Sequence, residues 1–367
     1  MDIRDFLLER YFAKHEFFAR ALLSPSDCEA MTVQDLIDGA DEEVRGLWDG
    51  LRLSYTESRG HPLLLAEIAR LTGRAPEELV VLNPEEGIFL TLNALLGRGD
   101  HVVVLSPCYQ SLYEIPRAMG CEVTRWYLKR EDGVWSLDMD FLEGALQKRT
   151  RAVIVNFPHN PTGFLPTAEE FEGVLRVTSE RGVMLFSDEM YRGLEMDPGR
   201  RLPSAPDRSE NSVALTGLSK TYGLPGLRLG WLSSADRGVI DRVLALKDYT
   251  TICTPAPSEI LAIAALRRAE EIGERNRSIV RANLSLASDF FTRRGSMFQW
   301  FEPLGGSTAF PRLIGDRAED FCERTVRDHG LMIVPDRVFD VDWNHFRVGM
   351  GRKNFPEALA ILEKIVG

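Results

Sequence analysis

The 367-residue chain lacks any apolar run long enough to cross a bilayer and is short of positive charge. A membrane-spanning helix takes about 20 consecutive apolar residues. The 44 lysines and arginines are outnumbered by 55 aspartates and glutamates, which gives a formal net charge of -11. An acidic protein repels nucleic-acid phosphates and anionic lipids. We therefore expect neither nucleic acid nor membrane among its partners.

Cysteine and histidine are also scarce. The five cysteines form no C-x-x-C pair, and the six histidines show no spacing typical of metal ligands. The first eighteen residues are too charged for the apolar part of a secretory signal. These features predict a cytoplasmic protein with reduced thiols and no metal site.

What the chain does contain is an ordinary globular composition, with 44% apolar and 27% charged residues. Between residues 50 and 255, short runs that are apolar throughout alternate with helical patterns. Strands buried on both faces produce such runs, and their alternation with helices predicts an α/β fold with a mostly parallel sheet sandwiched by helices. The predicted strands are 79–82, 101–106, 152–157, 183–189, 212–217 and 230–234.

Three regions follow from these patterns. Residues 1–45 are amphipathic and helical in pattern, begin at a possible cap, Asp2, and are expected to pack on the small domain. Residues 46–255 form the large α/β domain, and residues 256–367 a smaller α+β C-terminal domain. The first region is equally compatible with a mobile lid over the site.

Chemically informative residues follow the predicted strands, where open α/β sheets bind their ligands. They lie in NFPHNPTG (156–163), SDEMY (187–191), TGLSKTYGLPGLRLGW (216–231) and HFRVGMG (345–351). Taken singly, these are a turn, a helix cap, a solvated lysine and a strand arginine. Their order and spacing as a set are far more specific.

As a set, they resemble the fold-type I pyridoxal-phosphate (PLP) enzymes, the aspartate aminotransferase superfamily of class I/II aminotransferases. The resemblance runs from about Tyr55 to the C-terminus and rests on N-P-T-G, D-E-x-Y, S-K-x-x-G-L-x-G-x-R and a late arginine. It implies PLP as cofactor, an amino acid and a 2-oxo acid as reactants, and a homodimer with shared active sites.

The resemblance also implies roles for individual residues. Lys220 is the expected Schiff-base lysine, which later moves the substrate proton. Asp188 is expected to keep the ring nitrogen protonated. Asn160 and Tyr191 match the donors to the phenolate oxygen of the ring. Arg347 matches the arginine that grips the substrate α-carboxylate, where Asn160 also contributes.

The remaining matches concern the cofactor. Arg228 is expected to bind the phosphate, and Tyr109 to stack on the ring. Tyr55 is expected to reach the phosphate in the neighbouring subunit. The start of the helix after residue 82 offers backbone N–H groups to an anion. Three more residues are therefore predicted near the cofactor: Glu86, Gly87 and Ser219.

Two positions depart from the family pattern. Glu85 stands where a hydroxyl is usual, and Gly217 replaces a serine three residues before the lysine. We expect Glu85 to point away from the phosphate, toward solvent or a basic residue, and Arg228 to carry a larger share of phosphate binding. Candidates for the missing hydroxyls are Thr216, Ser219 and Thr221.

The motifs leave the reaction open. Transamination is the first interpretation, and Tyr191 favours it. The second is an eliminating or cyclising lyase, because several segments are also similar to the capreomycidine synthases, which cyclise a hydroxylated arginine. A PLP-sensing transcription regulator is disfavoured, since the residues before the resemblance are few and not basic. Acidic residues such as Glu16, Glu57 and Asp248 suggest a cationic substrate.

Overall fold

A computed structural model describes residues 2–367. The chain begins with α1 (Leu7–His15), β1 (Ala21–Leu22), α2 (Val33–Asp38) and α3 (Glu42–Asp49). The first region is thus helical only in part. The amides of Arg20 and Ala21 donate to the carbonyl of Gly330, and β1 pairs in parallel with residues 331–332. Pairing with distant residues replaces the helical hydrogen bonds there, which a local pattern does not reveal.

The large unit is built on seven strands flanked by helices. The strands are β2 (Leu79–Leu82), β3 (His101–Ser106), β4 (Glu122–Tyr127), β7 (Thr150–Asn156), β8 (Met184–Asp188), β9 (Ser212–Gly217) and β10 (Gly230–Ser233), with a hairpin of β5 (Lys129–Glu131) and β6 (Val134–Ser136) between β4 and β7. The helices are α4 (Pro62–Thr72), α5 (Pro84–Leu95), α6 (Ser111–Met119), α7 (Met139–Ala145), α8 (Ala168–Glu180) and α9 (Arg237–Lys247).

The central sheet has the order β2-β10-β9-β8-β7-β3-β4. Only β10 runs antiparallel to its neighbours; the other pairs are parallel. Residues 102–104 and 153–155 are fully buried, as expected for strands covered on both faces. The predicted mostly parallel sheet sandwiched by helices is confirmed. The carboxyl ends of β7 and β8 lie side by side, since Asn156 is in register with Asp188.

The C-terminal third contains helices and short strands. They are α10 (Ala256–Arg267), α11 (Ala269–Arg293), β11 (Phe298–Gln299), β12 (Thr308–Ala309), β13 (Arg312–Leu313), α12 (Ala318–His329), β14 (Leu331–Met332), β15 (Val334–Pro335), β16 (Phe346–Gly349) and α13 (Phe355–Val366). A small sheet, β12-β16-β15, carries Arg347 on its central strand. Although α10 falls within the predicted C-terminal domain, it packs in one apolar cluster with Val81 and Trp231 of the large sheet. Within residues 2–367, no helix is both long and apolar enough to span a bilayer.

Candidate active site

A cavity of about 440 Å³ opens at the carboxyl ends of the large sheet. Its walls come from α1, the segment after β1, the loops after β7, β8 and β9, and the small sheet. Eight of the predicted site residues line it together: Tyr109, Asn160, Asp188, Tyr191, Ser219, Lys220, Arg228 and Arg347. The sequence separations are large, so the topology alone brings them to one place.

Lys220 lies on the loop that leaves β9, and its side chain reaches into the cavity. Its Nζ donates to Oγ of Ser26, 2.8 Å away. The same Nζ lies 5.8 Å from the centre of the Tyr191 ring. The amine is therefore placed between the N-terminal segment and the end of β8.

Asp188 ends β8 and is only 6% exposed. Its Oδ1 accepts from the amide of Met190 at 3.1 Å, and Nδ2 of Asn156 donates to its backbone carbonyl at 2.9 Å. Burial raises the pKa of Asp188 to about 7, against the opposing effects of the Met190 amide and the Lys220 charge. A desolvated carboxyl at this place is strongly stabilised as an anion when a cation lies beside it.

Arg347 is wholly buried and is held by two protein acceptors. Its Nε donates to the carbonyl of Ser24 at 3.2 Å, and its Nη1 donates to Oδ1 of Asn160 at 3.2 Å. Its Nη2 has no partner among the described residues. A buried guanidinium with a free N–H edge on a cavity is suited to bind a carboxylate.

Two buried hydroxyls in the cavity also lack partners within residues 2–367: the phenol of Tyr191 and Oγ of Ser219. Buried polar atoms are normally paired, because an unmade hydrogen bond costs about 1–3 kcal/mol. Together with Nη2 of Arg347, these atoms mark where a polar ligand sits. They fit PLP, which offers a phenolate oxygen and a phosphate, and an amino acid, which offers a carboxylate.

The expected phosphate end is formed by Arg228 and the start of α5. Arg228 has a left-handed backbone conformation, with φ of 50°. Its Nη2 donates to Oδ1 of Asn83 at 3.1 Å, and its Nη1 donates to the carbonyl of Pro225 at 3.1 Å. Ser219 also lines the cavity. Of the other predicted hydroxyls, Thr221 instead donates to the carbonyl of Arg192.

Glu85 does not point to solvent or a basic residue, and that expectation is wrong. Its carboxyl lines the cavity and accepts a short hydrogen bond from Oγ of Ser111. Burial raises the pKa of Glu85, which the Ser111 hydroxyl and Arg228 oppose. The physical reason is the packing of two helices: Glu85, the second residue of α5, contacts the start of α6, where Ser111 donates to it.

Three other predicted residues lie outside the cavity lining. The carboxylate of Glu86 accepts from the hydroxyls of Thr250 and Thr251. Gly87 lies against the sheet, where an added Cβ would be 2.7 Å from Cδ1 of Leu82. Tyr55 is 85% exposed on the surface.

The N-terminal segment supplies a wall of the cavity that the motifs did not predict. Tyr109 donates to Oε1 of Glu9 at 3.2 Å and packs on Phe6, with ring centres 4.9 Å apart. The segment also places Glu16 in the lining; Glu57 and Asp248, also suggested from the sequence, do not belong to it. The helical period of α1 is the one sequence signal that groups Glu9 and Glu16.

The cavity wall formed by the N-terminal segment contains three acids, Glu9, Glu16 and Asp27, and is called the acidic wall below. Arg352 pairs with Asp27 through both carboxylate oxygens, at 3.2 and 3.0 Å. This pair neutralises itself, which leaves Glu9 and Glu16 as the remaining acids of the wall. Burial raises the pKa of Glu16, and Arg352 opposes that shift.

Comparison with known proteins gives consistent results. The family model described as aminotransferase class I and II matches residues 23–361. A capreomycidine synthase of Streptomyces vinaceus is 30% identical over all of this chain and 93% of its own length. An aspartate aminotransferase of Thermotoga maritima is 29% identical over 82% of this chain and 79% of its own length.

Solved structures agree in fold over the whole chain. A PLP-dependent aminotransferase from Streptococcus suis superposes with a TM-score of 0.92 at 30% identity, covering 100% of this chain and 97% of that one. The PLP-dependent cyclase OrfR superposes with a TM-score of 0.90 at 28% identity and the same coverage. The chain therefore belongs to the class I and II aminotransferase family, whose members depend on pyridoxal phosphate and share the fold-type I architecture.

Proposed function

We propose that the protein is an aminotransferase that moves an amino group between an L-amino acid and a 2-oxo acid. The observation that carries the proposal is one cavity lined by Lys220, Asp188 and the free edge of Arg347. When bound, PLP supplies an aldehyde carbon for the amine and a ring that accepts the electron pair of the substrate Cα–H bond.

Lys220 and Asp188 perform the two central tasks. The amine of Lys220 would hold the cofactor covalently and, when free, would take the proton from the substrate Cα. Asp188 pairs with the protonated ring nitrogen. Because its carboxyl is desolvated, this charge pair is strong and keeps the nitrogen protonated.

The other cavity residues orient the two ligands. Arg347 grips the substrate α-carboxylate with Nη2, while its bond to Asn160 fixes the plane of the guanidinium. The buried phenol of Tyr191 donates to the phenolate oxygen of the ring. Arg228 and Ser219 bind the phosphate at the start of α5.

Glu85 lines the same cavity and bears on how the phosphate is held. A carboxylate beside a phosphate repels it, and burial shifts the pKa of Glu85 upward, against the effects of the Ser111 hydroxyl and Arg228. This shift weakens the repulsion, because a protonated carboxyl donates a hydrogen bond to an anion.

We also propose that the active enzyme is a homodimer. Three large side chains with apolar surface are almost fully exposed: Leu53 at 88%, Tyr55 at 85% and Tyr249 at 89%. Large apolar side chains left this open are typical of an interface. In the proposed dimer a second copy covers them, and the partner's Tyr55 contributes to the phosphate site, as the family resemblance implies.

The experiment that tests the reaction is an amino-donor screen with 2-oxoglutarate and mass spectrometry of the products. An aminotransferase consumes the donor, releases its 2-oxo acid and converts 2-oxoglutarate into glutamate. With the acceptor withheld, it stops after one turnover with the cofactor in the pyridoxamine form. Turnover that continues without acceptor contradicts the proposal.

A cyclising or eliminating lyase with an arginine-derived substrate is the second candidate function. The specific observation in its favour is the acidic wall, because Glu9 and Glu16 suit a cationic side chain. Full-length similarity to a capreomycidine synthase also supports it. The same screen separates the two, since a lyase turns over repeatedly without acceptor and gives a ring or unsaturated product.

The acidic wall has its own test. Replacing Glu9 and Glu16 by glutamine removes both charges and keeps the shape of the side chains. If the substrate is cationic, KM for that substrate rises about tenfold or more. Asp320→Asn, an exposed acid in the first turn of α12, is the matched control. An unchanged KM contradicts a cationic substrate.

A further inference from the structure

The hydroxyl of Ser26 is the partner of the Lys220 amine, at 2.8 Å. Ser26 also lines the cavity. We propose that Ser26 is a positioning residue for Lys220, which holds the amine for proton transfer at the substrate Cα whenever Lys220 is not bound to the cofactor. The inference rests on the proposed function insofar as Lys220 is the cofactor-binding lysine.

Ser26 belongs to a segment that is fixed on the small-domain side. The amide of Gly349 donates to the carbonyl of Leu23 at 2.7 Å, and the amide of Glu29 donates to that of Gly351 at 2.8 Å. At Gly349 and Gly351 the two backbones approach too closely for any side chain to fit between them. An added Cβ on Gly349 would lie 1.7 Å from the carbonyl oxygen of Pro25, and one on Gly351 would lie 2.1 Å from that of Asp27. Glycine at both positions therefore permits the segment to cross β16.

The same segment is fixed against the loop that carries the lysine. Gly223, with φ of 65°, approaches so closely that an added Cβ would lie 2.6 Å from the carbonyl oxygen of Glu29. Nδ2 of Asn276 donates to the carbonyl of Thr221 at 2.9 Å, which holds the loop itself. Oγ of Ser307 donates to the carbonyl of Ser26 at 2.7 Å. Ser26 and Lys220 are thus set at a defined separation by packing on both sides.

The chemistry needs this orientation. A neutral amine that donates one N–H to the Ser26 oxygen keeps its lone pair free, and the lone pair takes the proton when the Cα–H bond breaks. Lys220 would then be an ammonium and would return a proton to the cofactor carbon or to Cα; because ammonium protons exchange with solvent, the returned proton is replaced by a deuteron in D₂O. The proton of Ser26 itself is not consumed. A well-placed base is worth orders of magnitude in rate, and most of that value is lost when the base is free to rotate.

The first test locates the amine directly, in crystal structures of the protein loaded with pyridoxamine phosphate, the form in which the lysine is free. In the wild type, Nζ of Lys220 is expected within hydrogen-bond distance of Oγ of Ser26. In Ser26→Ala, the amine is expected to leave that position. A wild-type structure with Nζ bound elsewhere overturns the inference.

The second test separates positioning from a structural role. Ser26→Ala is expected to keep the visible absorbance of lysine-bound PLP, and to slow α-proton exchange into D₂O from a mixture of the protein amino acids by roughly 10–100-fold. With α-deuterated amino acids the isotope effect is expected to rise, while KM changes little. Ser26→Thr restores the hydroxyl and most of the rate.

Ser278→Ala, which removes an exposed serine hydroxyl on α11, is the control and leaves all these values unchanged. Equal exchange rates in Ser26→Ala and the wild type overturn the inference while leaving the proposed function intact. Failure of wild-type Lys220 to bind PLP covalently overturns the proposed function first, and the two failures are therefore distinguishable.

Discussion

At the scale of single residues, Asp188 is an acid whose surroundings oppose its charge. Its folded-state pKa of about 7 lies above the ordinary value of an aspartate. Without a cation, the folded protein therefore binds a proton that the unfolded chain releases. This contribution to stability is complete below pH 4 and is lost as the pH rises through about 7.

Asp188→Asn removes that dependence. We expect the cofactor-free variant to be more stable than the cofactor-free wild type at pH 8, by on the order of 1–4 kcal/mol, and nearly equal to it at pH 4. Urea unfolding of both proteins at the two pH values measures the difference. If the difference in free energy of unfolding between the two proteins is the same at pH 4 and pH 8, the raised pKa of Asp188 is contradicted.

The same substitution has an opposite effect on function. A neutral side-chain amide in place of the carboxylate cannot hold the ring nitrogen protonated, so turnover is expected to fall by roughly 10²–10⁴-fold while PLP is still bound through Lys220. The retained visible absorbance is the control for folding and cofactor binding. Turnover near that of the wild type removes Asp188 from the reaction.

Arg347 tests recognition of the substrate carboxylate. Its fork is oriented by Ser24 and Asn160, and Nη2 is the terminal nitrogen with no protein partner among the described residues. Arg347→Lys keeps the charge but loses the planar fork, and we expect KM for the amino donor to rise about tenfold or more, with kcat less affected. Steady-state kinetics with the donor found in the screen decides this, and an unchanged KM places the carboxylate elsewhere.

At the scale of elements, α1 and the residues just before it contact both α6 of the large unit and the C-terminal third. On one side, Arg4 binds the carboxylate of Glu114 on α6, with Nη2 and Oε2 2.7 Å apart. On the other, the hydroxyl of Tyr11 donates to the carbonyl of Ile333 at 2.8 Å, and Lys14 pairs with Glu323 at 2.9 Å. Although burial opposes the charge of Glu114, hydrogen bonds from Arg117 and Arg4 lower the pKa of that carboxyl to about 2.

Glu114→Gln is therefore expected to loosen the start of the N-terminal segment without unfolding the protein. Losing the charged partner of Arg4 costs roughly 1–3 kcal/mol locally, which makes the segment open about tenfold more often. Trypsin cleavage after Arg4 or Arg10 should accelerate by a similar factor, because cleavage follows the open population. Glu319→Gln, an exposed acid on α12, is the matched control. Equal cleavage rates mean that Glu114 does not hold the segment.

At the scale of the whole molecule, the sequence predicts the parts that depend on local pattern and topology. Wholly apolar runs identify the buried strands, and Asp188 and Lys220 follow two of them, so a shared site at their carboxyl ends is predictable. The acidic wall is not predictable in this way. Its position depends on β1 pairing with residues some 300 positions away and on glycines that admit the segment, contacts that leave no local period.

The orientation of Glu85 shows the same limit at one position. Its place at the start of α5 follows from the Asn-Pro cap, which is a local signal. Its partner, Ser111, begins the helix that follows β3 in the chain, and the packing of α5 on α6 brings the two together. The local pattern predicts the position of Glu85 on the helix, and tertiary contacts determine which group its carboxyl binds.

The quaternary proposal is tested by mixing two inactive variants. Lys220→Ala removes the amine, and Tyr55→Ala removes the phenol that the partner is proposed to supply. If each site combines Lys220 of one subunit with the partner's Tyr55, then a mixed dimer contains one complete site and one with both changes. After dissociation and reassociation, activity should reappear at about a quarter of the wild-type value, since half of the dimers are mixed and each has one working site. If sedimentation shows that mixed dimers have formed and no activity returns, a shared site is contradicted. A protein that is monomeric at micromolar concentration contradicts the dimer itself.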